Sequence, residues 1–294
     1  MNFDSLAYLA FLPVVYLIYR TLSLRGQNLA LLAASFVFYG CWDPRFLLLI
    51  IASTVMDFCA GLLIERGRVT GQQAARLLAF VAASALPCTL LDWRQLVLGR
   101  VVFDTTNAWA LGLLCAGLAV GALVCLWVGR LPTERRRRIC LVVSMTGNLG
   151  LLAFFKYANF LIDSADALIT TLGGDPSGWH LHIVLPVGIS FYTFQTMSYT
   201  IDVYRGKLAA GDRIVPFALF VTYFPQLVAG PIERATHLLP LLSNARRLSW
   251  QQSVEGLYLI AFGLFKKVAI ANGVAPAVAS VYSGTCTASA VDVA

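Results

Sequence analysis

Charge is what this sequence lacks most. Lys, Arg, Asp and Glu together make up 13% of its 294 residues, against about 25% in a soluble globular domain. Halving the charge removes the polar surface that a water-soluble globule needs, so that class is excluded. Histidine is scarce too: His180, His182 and His237 are the only three. No G-x-S-x-G elbow, H-E-x-x-H pair or phosphate-binding loop occurs in the chain, which removes the common hydrolase, zinc-protease and nucleotide-binding signatures. The seven cysteines (Cys41, Cys59, Cys88, Cys115, Cys125, Cys140, Cys286) form no C-x-x-C pair. Six of them lie in or beside apolar runs, where a thiol packs as a small hydrophobe. No basic stretch is interleaved with stacking aromatics outside an apolar run, so the net charge of +7 is not read as nucleic-acid binding. No third ligand joins His180 and His182 to make a metal corner, and we read them as part of an interfacial loop.

What is present is apolar length. Hydrophobic residues make up 59% of the chain, mean hydropathy is +0.74, and the apolar residues fall in long runs, the signature of membrane spans. The expected fold is an all-α, polytopic membrane protein of about 8–9 hydrophobic segments, forming a single transmembrane domain. The candidate spans are 6–22, 28–42, 46–64, 77–98, 108–129, 139–161, 183–204, 214–230 and 254–272. The run 28–42 is short for a crossing of about 20 residues, and Pro87, Asp92 and Arg94 interrupt 77–98. Either is expected to be tilted, re-entrant or interfacial. Gly117 and Gly121 form a G-x-x-x-G spacing in 108–129, a helix-contact pattern common in Gly-rich membrane helices. No internal repeat stands out.

The start, Met1-Asn2-Phe3-Asp4, has no positive leader, and the first charges after the apolar run are Arg20 and Arg25. This order predicts an uncleaved first helix with the N-terminus outside. Loops on the cytoplasmic side then hold Arg20, Arg25, Arg66, Arg68, Arg76, Arg130, Arg135 to Arg138, Arg205, Lys207 and Arg213. Loops on the other side hold only Arg45, Arg94 and Arg100 up to residue 230. That is a strong positive-inside bias, and Arg135–Arg138 is read as a topology determinant rather than a nucleic-acid patch. A full crossing by 214–230 would put Arg234, Arg246 and Arg247 on the wrong side. Pro225, Gly230 and Pro231 can break a helix and turn the chain back, so a re-entrant segment is expected there.

Several polar residues stand in segments where membranes tolerate them poorly. Tyr192, Gln195, Tyr199 and Asp202 are spaced three, four and three, which puts them on one helix face. Such a stripe should face a wet cavity or form a helix–helix polar seam. Lys266 and Lys267 lie inside the apolar run 257–271, where each costs about 2.5–3.5 kcal/mol at mid-bilayer. They either snorkel to the interface or line a cavity for an anionic acyl donor. Asp57 and Lys156 raise the same question more weakly. Gln226, Glu233 and Arg234 flank the Ala229-Gly230-Pro231 break, and broken membrane helices recur at substrate sites. His237 follows that break with no base-orienting partner evident in the sequence.

Six blocks resemble the membrane-bound O-acyltransferase family, in its alginate O-acetylation branch. They are Phe3–Leu6, Ser35–Phe46, Asn148–Tyr157, the long stretch Leu185–Gln195 continuing through Ser198–Arg205, Phe224–Ile232, and Gly263–Lys267. The resemblance runs from residue 3 to about 272, interrupted near 68–135, which is read as a hydrophobic insertion plus a basic cytoplasmic loop. It implies a ring of helices around a central funnel in the bacterial inner membrane. It implies acetyl transfer from a cytoplasmic donor, acetyl-CoA, with no resident cofactor. The acceptor would be an extracytoplasmic polysaccharide such as alginate, reached through a periplasmic acetyltransferase partner. It also implies a histidine base in an F-W-R-R-W-H-like block lying downstream of everything present here. None of the three histidines matches that position, so no catalytic residue is assigned, and the sequence is expected to be the N-terminal portion, inactive alone. The competing readings are a non-catalytic membrane scaffold of an acetylation complex and a transporter for lipid-linked sugars. A transporter of that kind favours inverted repeats.

Overall fold

A computed structural model describes residues 5–90, 108–174, 184–227, 230, 233–246 and 249–282, and every regular element among them is helical. The order is α1 (Leu6–Thr21), α2 (Leu24–Gly40), α3 (Arg45–Arg66), α4 (Gly71–Leu90), α5 (Ala108–Gly129), α6 (Thr133–Thr171) and α7 (Ile189–Tyr204). Then come α8 (Ile214–Thr222), α9 (Phe224–Leu227), α10 (Ala235–Ser243), α11 (Trp250–Phe265), a π-helical stretch Lys266–Ala271, and α12 (Asn272–Tyr282). In lipid every backbone N–H and C=O must be satisfied within the segment, which a helix achieves. Helices α3 and α6 are long and apolar enough to cross a membrane, and shorter apolar helices cover Leu6–Thr21, Cys115–Gly129 and Ile214–Leu227. Outward-facing side chains are apolar as well: Leu113, Leu123 and Leu126 of α5 are more than 60% exposed. A patch of that kind in water would be an aggregation liability; against acyl chains it is solvated.

The chain divides into two units, one of residues 1–20 and 246–294, the other of residues 21–245. The first holds α1, α11, the π-helical stretch and α12, with Tyr16 Oη and Ser253 Oγ 3.2 Å apart and the Arg246 guanidinium 5.4 Å from the Tyr19 ring centre. The second is organised on α3, which packs against α2, α4, α5, α6, α7 and α8. Leu47, Ile50, Phe58 and Leu62 of α3 are all essentially inaccessible. Gly61 lies under the Tyr199 hydroxyl, and a Cβ there would come within 2.5 Å of it. Asp43, just before α3, accepts hydrogen bonds from the Arg45 backbone N–H at 2.9 Å and from Arg45 Nη2 at 2.7 Å. Burial pushes the Asp43 carboxyl up, but the Arg45 guanidinium outweighs burial and holds it below the usual carboxylate range.

Element boundaries differ from the hydropathy spans in instructive ways. The expected 139–161 segment is the middle of a 39-residue helix, which rises about 58 Å, nearly twice a hydrocarbon core of about 30 Å. The break expected around Pro225 to Pro231 begins earlier, at Tyr223, whose ψ of 108° leaves the helical region. Pro225 has no N–H for the Val221 carbonyl, and its ring clashes there, so α8 must stop at Thr222.

The Arg135–Arg138 run does more than mark topology. Arg136 Nε donates to the Leu63 carbonyl at 2.9 Å, a second donor on an oxygen that also accepts the Gly67 backbone N–H at 3.1 Å, and so ties the α6 N-terminus to the last turn of α3. Gly67, with φ 77°, closes that end in the left-handed conformation that glycine adopts without strain. Arg137 Nη2 donates to the Tyr204 carbonyl at 2.5 Å, capping α7, while its guanidinium stacks 5.4 Å from the Tyr204 ring centre. The C-termini of α3 and α7 and the N-terminus of α6 therefore meet at one end of the unit. Arg66 at that end pairs with Asp212, whose carboxyl it holds below the ordinary range.

Candidate functional site

Helix α7 presents two polar faces to the interior, and each meets a different partner. Thr193, Thr196 and Thr200 are buried on one face; Tyr192, Gln195 and Tyr199 on the other.

On the threonine side lies a polar centre built from three helices, each contributing a pair of residues one turn apart. Helix α3 supplies Ser53 and Asp57, α6 supplies Ser144 and Asn148, and α7 supplies Thr196 and Thr200. Residues four apart share a helix face, so three apolar helices turn three polar pairs toward one point. Asp57, fully inaccessible, accepts from Ser144 Oγ at 2.5 Å, from Asn148 Nδ2 at 2.8 Å and from Thr200 Oγ1 at 3.4 Å. The Asn148 side-chain oxygen in turn accepts from Ser53 Oγ at 2.8 Å and Thr196 Oγ1 at 3.4 Å. No ion pair among the described residues involves Asp57. The carboxyl is held by neutral donors, which is what makes burying it tolerable.

On the other side of α7, three blocks that carried the family resemblance converge. Tyr39 Oη donates to the Val187 carbonyl at 2.8 Å. The Phe224 N–H donates to Ser35 Oγ at 3.2 Å, and the Phe38 and Phe224 rings stand 5.7 Å apart. Gly188, the N-cap of α7, has φ 74° and presses against the Leu227 carbonyl oxygen so closely that a Cβ would collide with it. Residues far apart in the chain thus seat the break between α8 and α9 against the start of α7. Replacing Tyr39 with Phe removes one of these ties while keeping the ring. We expect it to lower stability by about 1 kcal/mol, read as a small fall in the unfolding midpoint of the detergent-solubilised protein; an unchanged midpoint would show that the tie contributes nothing.

The sequence-nominated residues fall as follows. Gln195 Nε2 donates to the Phe220 carbonyl at 2.7 Å, fastening α7 to α8, and the Tyr199 ring lies 4.4 Å from that of Phe217. Tyr192 and Tyr199 are both buried, whereas Asp202 is half-buried at the polar end of α7. Gln226 is half-buried beside Gly230, Glu233 is half-buried, and Arg234 is exposed. The sequence offered no partner for His237; the structure supplies one, because its Nδ1 lies 3.1 Å from Glu233 Oε2, one turn earlier. Both are solvent-accessible. Lys266 and Lys267 belong to the first unit, exposed at the start of the π-helical stretch, with Lys266 Nζ 4.4 Å over the Phe262 ring. Lys156 is exposed on α6. His180, His182, Ala229, Pro231 and Arg247 lie outside the described residues.

Sequence reasoning raised Asp57 only faintly and missed Ser53, Ser144, Asn148, Thr196 and Thr200. The signal that could have found them is a polar pair at four-residue spacing repeated in three apolar runs.

The chain is similar to the alginate O-acetylase of Azotobacter vinelandii, with 35% identity over 277 residues, 94% of this chain and 42% of that protein. It is 34% identical to the alginate O-acetylase of Pseudomonas aeruginosa over 276 residues, 94% of this chain and 41% of that one. A peptidoglycan O-acetyltransferase of Helicobacter pylori is 28% identical over 200 residues, 58% of this chain and 36% of that protein. The chain therefore spans about two-fifths of the length of the alginate relatives it matches. No family model and no solved structure matches it.

Proposed function

We propose that the chain belongs to the alginate branch of the membrane-bound O-acyltransferase family, to whose alginate O-acetylases it is 32–35% identical, and that it serves O-acetylation of an extracytoplasmic polysaccharide as part of a bacterial inner-membrane acetyltransferase. In the reaction a hydroxyl oxygen of the acceptor attacks the carbonyl carbon of an acetyl thioester. The C–S bond breaks, an ester C–O bond forms, and the hydroxyl proton passes to the departing thiol. The donor is acetyl-CoA on the cytoplasmic side, and a periplasmic acetyltransferase completes delivery. The N-terminus is outside, and the 8–9 segments, including a re-entrant 214–230 segment, surround a funnel.

The observation that carries this reading is the likeness over 94% of the chain to proteins named for O-acetylation of alginate. The meeting of the 35–46, 185–195 and 224–232 blocks supports it, because these blocks carry the resemblance and are brought together at a helix break, where freed backbone groups can receive a ligand. Gln226, Glu233 and Arg234, which follow that break, are assigned to the passage wall; Lys266 and Lys267, in the other unit, are assigned by their charge alone to contact with an anionic donor. Gln195 and Tyr199, engaged in helix contacts, and the buried Tyr192 frame the passage, with Asp202 at its end.

Deleting the gene in its own bacterium should lower the O-acetyl ester content of the exopolysaccharide, read by proton NMR of the purified polymer. Returning the wild-type gene should restore it, and a Gln226→Ala copy expressed at the same level should restore less. Unchanged ester content on deletion would sink the proposal.

A further inference from the structure

We propose that Arg135 and Arg138 form an exposed clamp for the phosphate of an anionic phospholipid, with α6 as the surface along which its acyl chains lie. The inference rests on the membrane setting and not on acyl transfer.

The four consecutive arginines are not equivalent. At about 100° per residue, Arg136 and Arg137 point together toward α3 and α7, where their hydrogen bonds to Leu63 and Tyr204 are made. Arg135 and Arg138 then fall about 60° apart on the opposite side of the helix, and both are exposed. No ion pair among the described residues involves either of them, and Glu134, four residues before Arg138, makes none with it. Residues three apart on a helix have Cβ atoms about 5–6 Å apart, a spacing that lets two guanidinium groups share one phosphodiester. Guanidinium is the side chain best matched to phosphate, through paired N–H donors.

The same face continues into apolar surface. Val142, Leu149 and Phe160 follow Arg138 on that side and are 51%, 44% and 66% exposed. On neighbouring α5, Trp127 is 58% exposed just before the turn to α6, and exposed tryptophan favours headgroup depth. The arrangement, two free cations at headgroup level with acyl-compatible surface beyond, is complementary to a negatively charged lipid and not to a soluble anion, which has no use for the apolar strip. Zwitterionic lipid would bring a cationic group against the arginines.

Each basic residue near an anionic surface favours it by about fivefold, so the pair should favour anionic lipid by about thirtyfold. The test reconstitutes the full chain in nanodiscs of mixed phosphatidylglycerol and phosphatidylcholine and counts retained lipids by native mass spectrometry. Wild type should retain phosphatidylglycerol selectively, Arg135→Gln/Arg138→Gln should lose most of that selectivity, and Arg135→Lys/Arg138→Lys, which keeps the charge without the paired donors, should fall between the two with an unchanged unfolding midpoint. Equal retention of the two lipids by wild type, or undiminished selectivity in the glutamine variant, overturns the clamp. Displacement of the retained lipid by inorganic pyrophosphate at equal concentration would show a free-phosphate site and overturn the lipid assignment. Loss of acetylation alone would leave the clamp standing, whereas failure to enter the nanodisc would overturn the membrane setting itself.

Discussion

Replacing Asp57 with Ala is expected to destabilise the protein by about 3–5 kcal/mol, the largest effect of any single change considered for the described residues. The substitution leaves Ser144, Asn148 and Thr200 facing an empty site. A buried donor without an acceptor costs about 1–3 kcal/mol, and the lost volume adds a cavity term. Some of the loss is recovered because each hydroxyl can turn to a carbonyl in its own helix, as Thr54 does to Ile50 at 2.6 Å. In detergent the unfolding midpoint should fall by about 10 °C. Asp57→Asn keeps the volume but turns one acceptor oxygen into a donor facing other donors, so it should fall between wild type and Asp57→Ala. If the alanine variant melts within about 2 °C of wild type, the three-helix centre is not what joins α3, α6 and α7. A double-mutant cycle with Ser144→Ala apportions the hydrogen bond, with an expected coupling of about 1 kcal/mol.

The second large effect is expected at Gly188. With φ at 74°, any L-residue pays about 1 kcal/mol or more for the left-handed conformation, and here a Cβ also meets the Leu227 carbonyl oxygen. Neither partner can yield cheaply: Gly188 begins α7, and Leu227 ends the short helix held by Pro225. Gly188→Ala should therefore cost about 2–4 kcal/mol, read as a fall in the unfolding midpoint, and under the proposed function it should lower polymer O-acetylation more than its fall in expression explains, because the contact sets the helix break against α7. Gly206, also left-handed with φ 71°, has nothing within reach of an added Cβ, so Gly206→Ala should incur only the backbone cost. Equal effects at the two glycines would show that the Leu227 contact is unimportant.

These two positions mark where one-dimensional reading succeeds and where it stops. Gly188 lay inside a block singled out for its resemblance to O-acyltransferases, yet its reason for being glycine is an atom 39 residues downstream, reached only through folding. Asp57 was visible as a carboxylate in an apolar run, but what tolerates it comes from two other helices. The 192–195–199–202 stripe was the more conspicuous pattern because its side chains are large. The threonines beside it, small and unremarkable in a hydropathy trace, turned out to face the buried carboxylate. Likewise the arginine run was legible as a charge asymmetry, while its division into two hydrogen-bonded and two exposed members depends on how α6 is rotated against α3 and α7.

The amino-acid sequence by itself determined the helical class and the membrane setting, because apolar runs short of charge leave the backbone only the internal hydrogen bonding of helices. It also carried the likeness to alginate O-acetylases, which no packing argument could supply. The tertiary structure alone decided which polar groups satisfy one another and which remain outside. Hydropathy sums along the chain, whereas a buried hydrogen bond depends on the rotation and crossing of two helices, and that information is spread over residues more than a hundred positions apart.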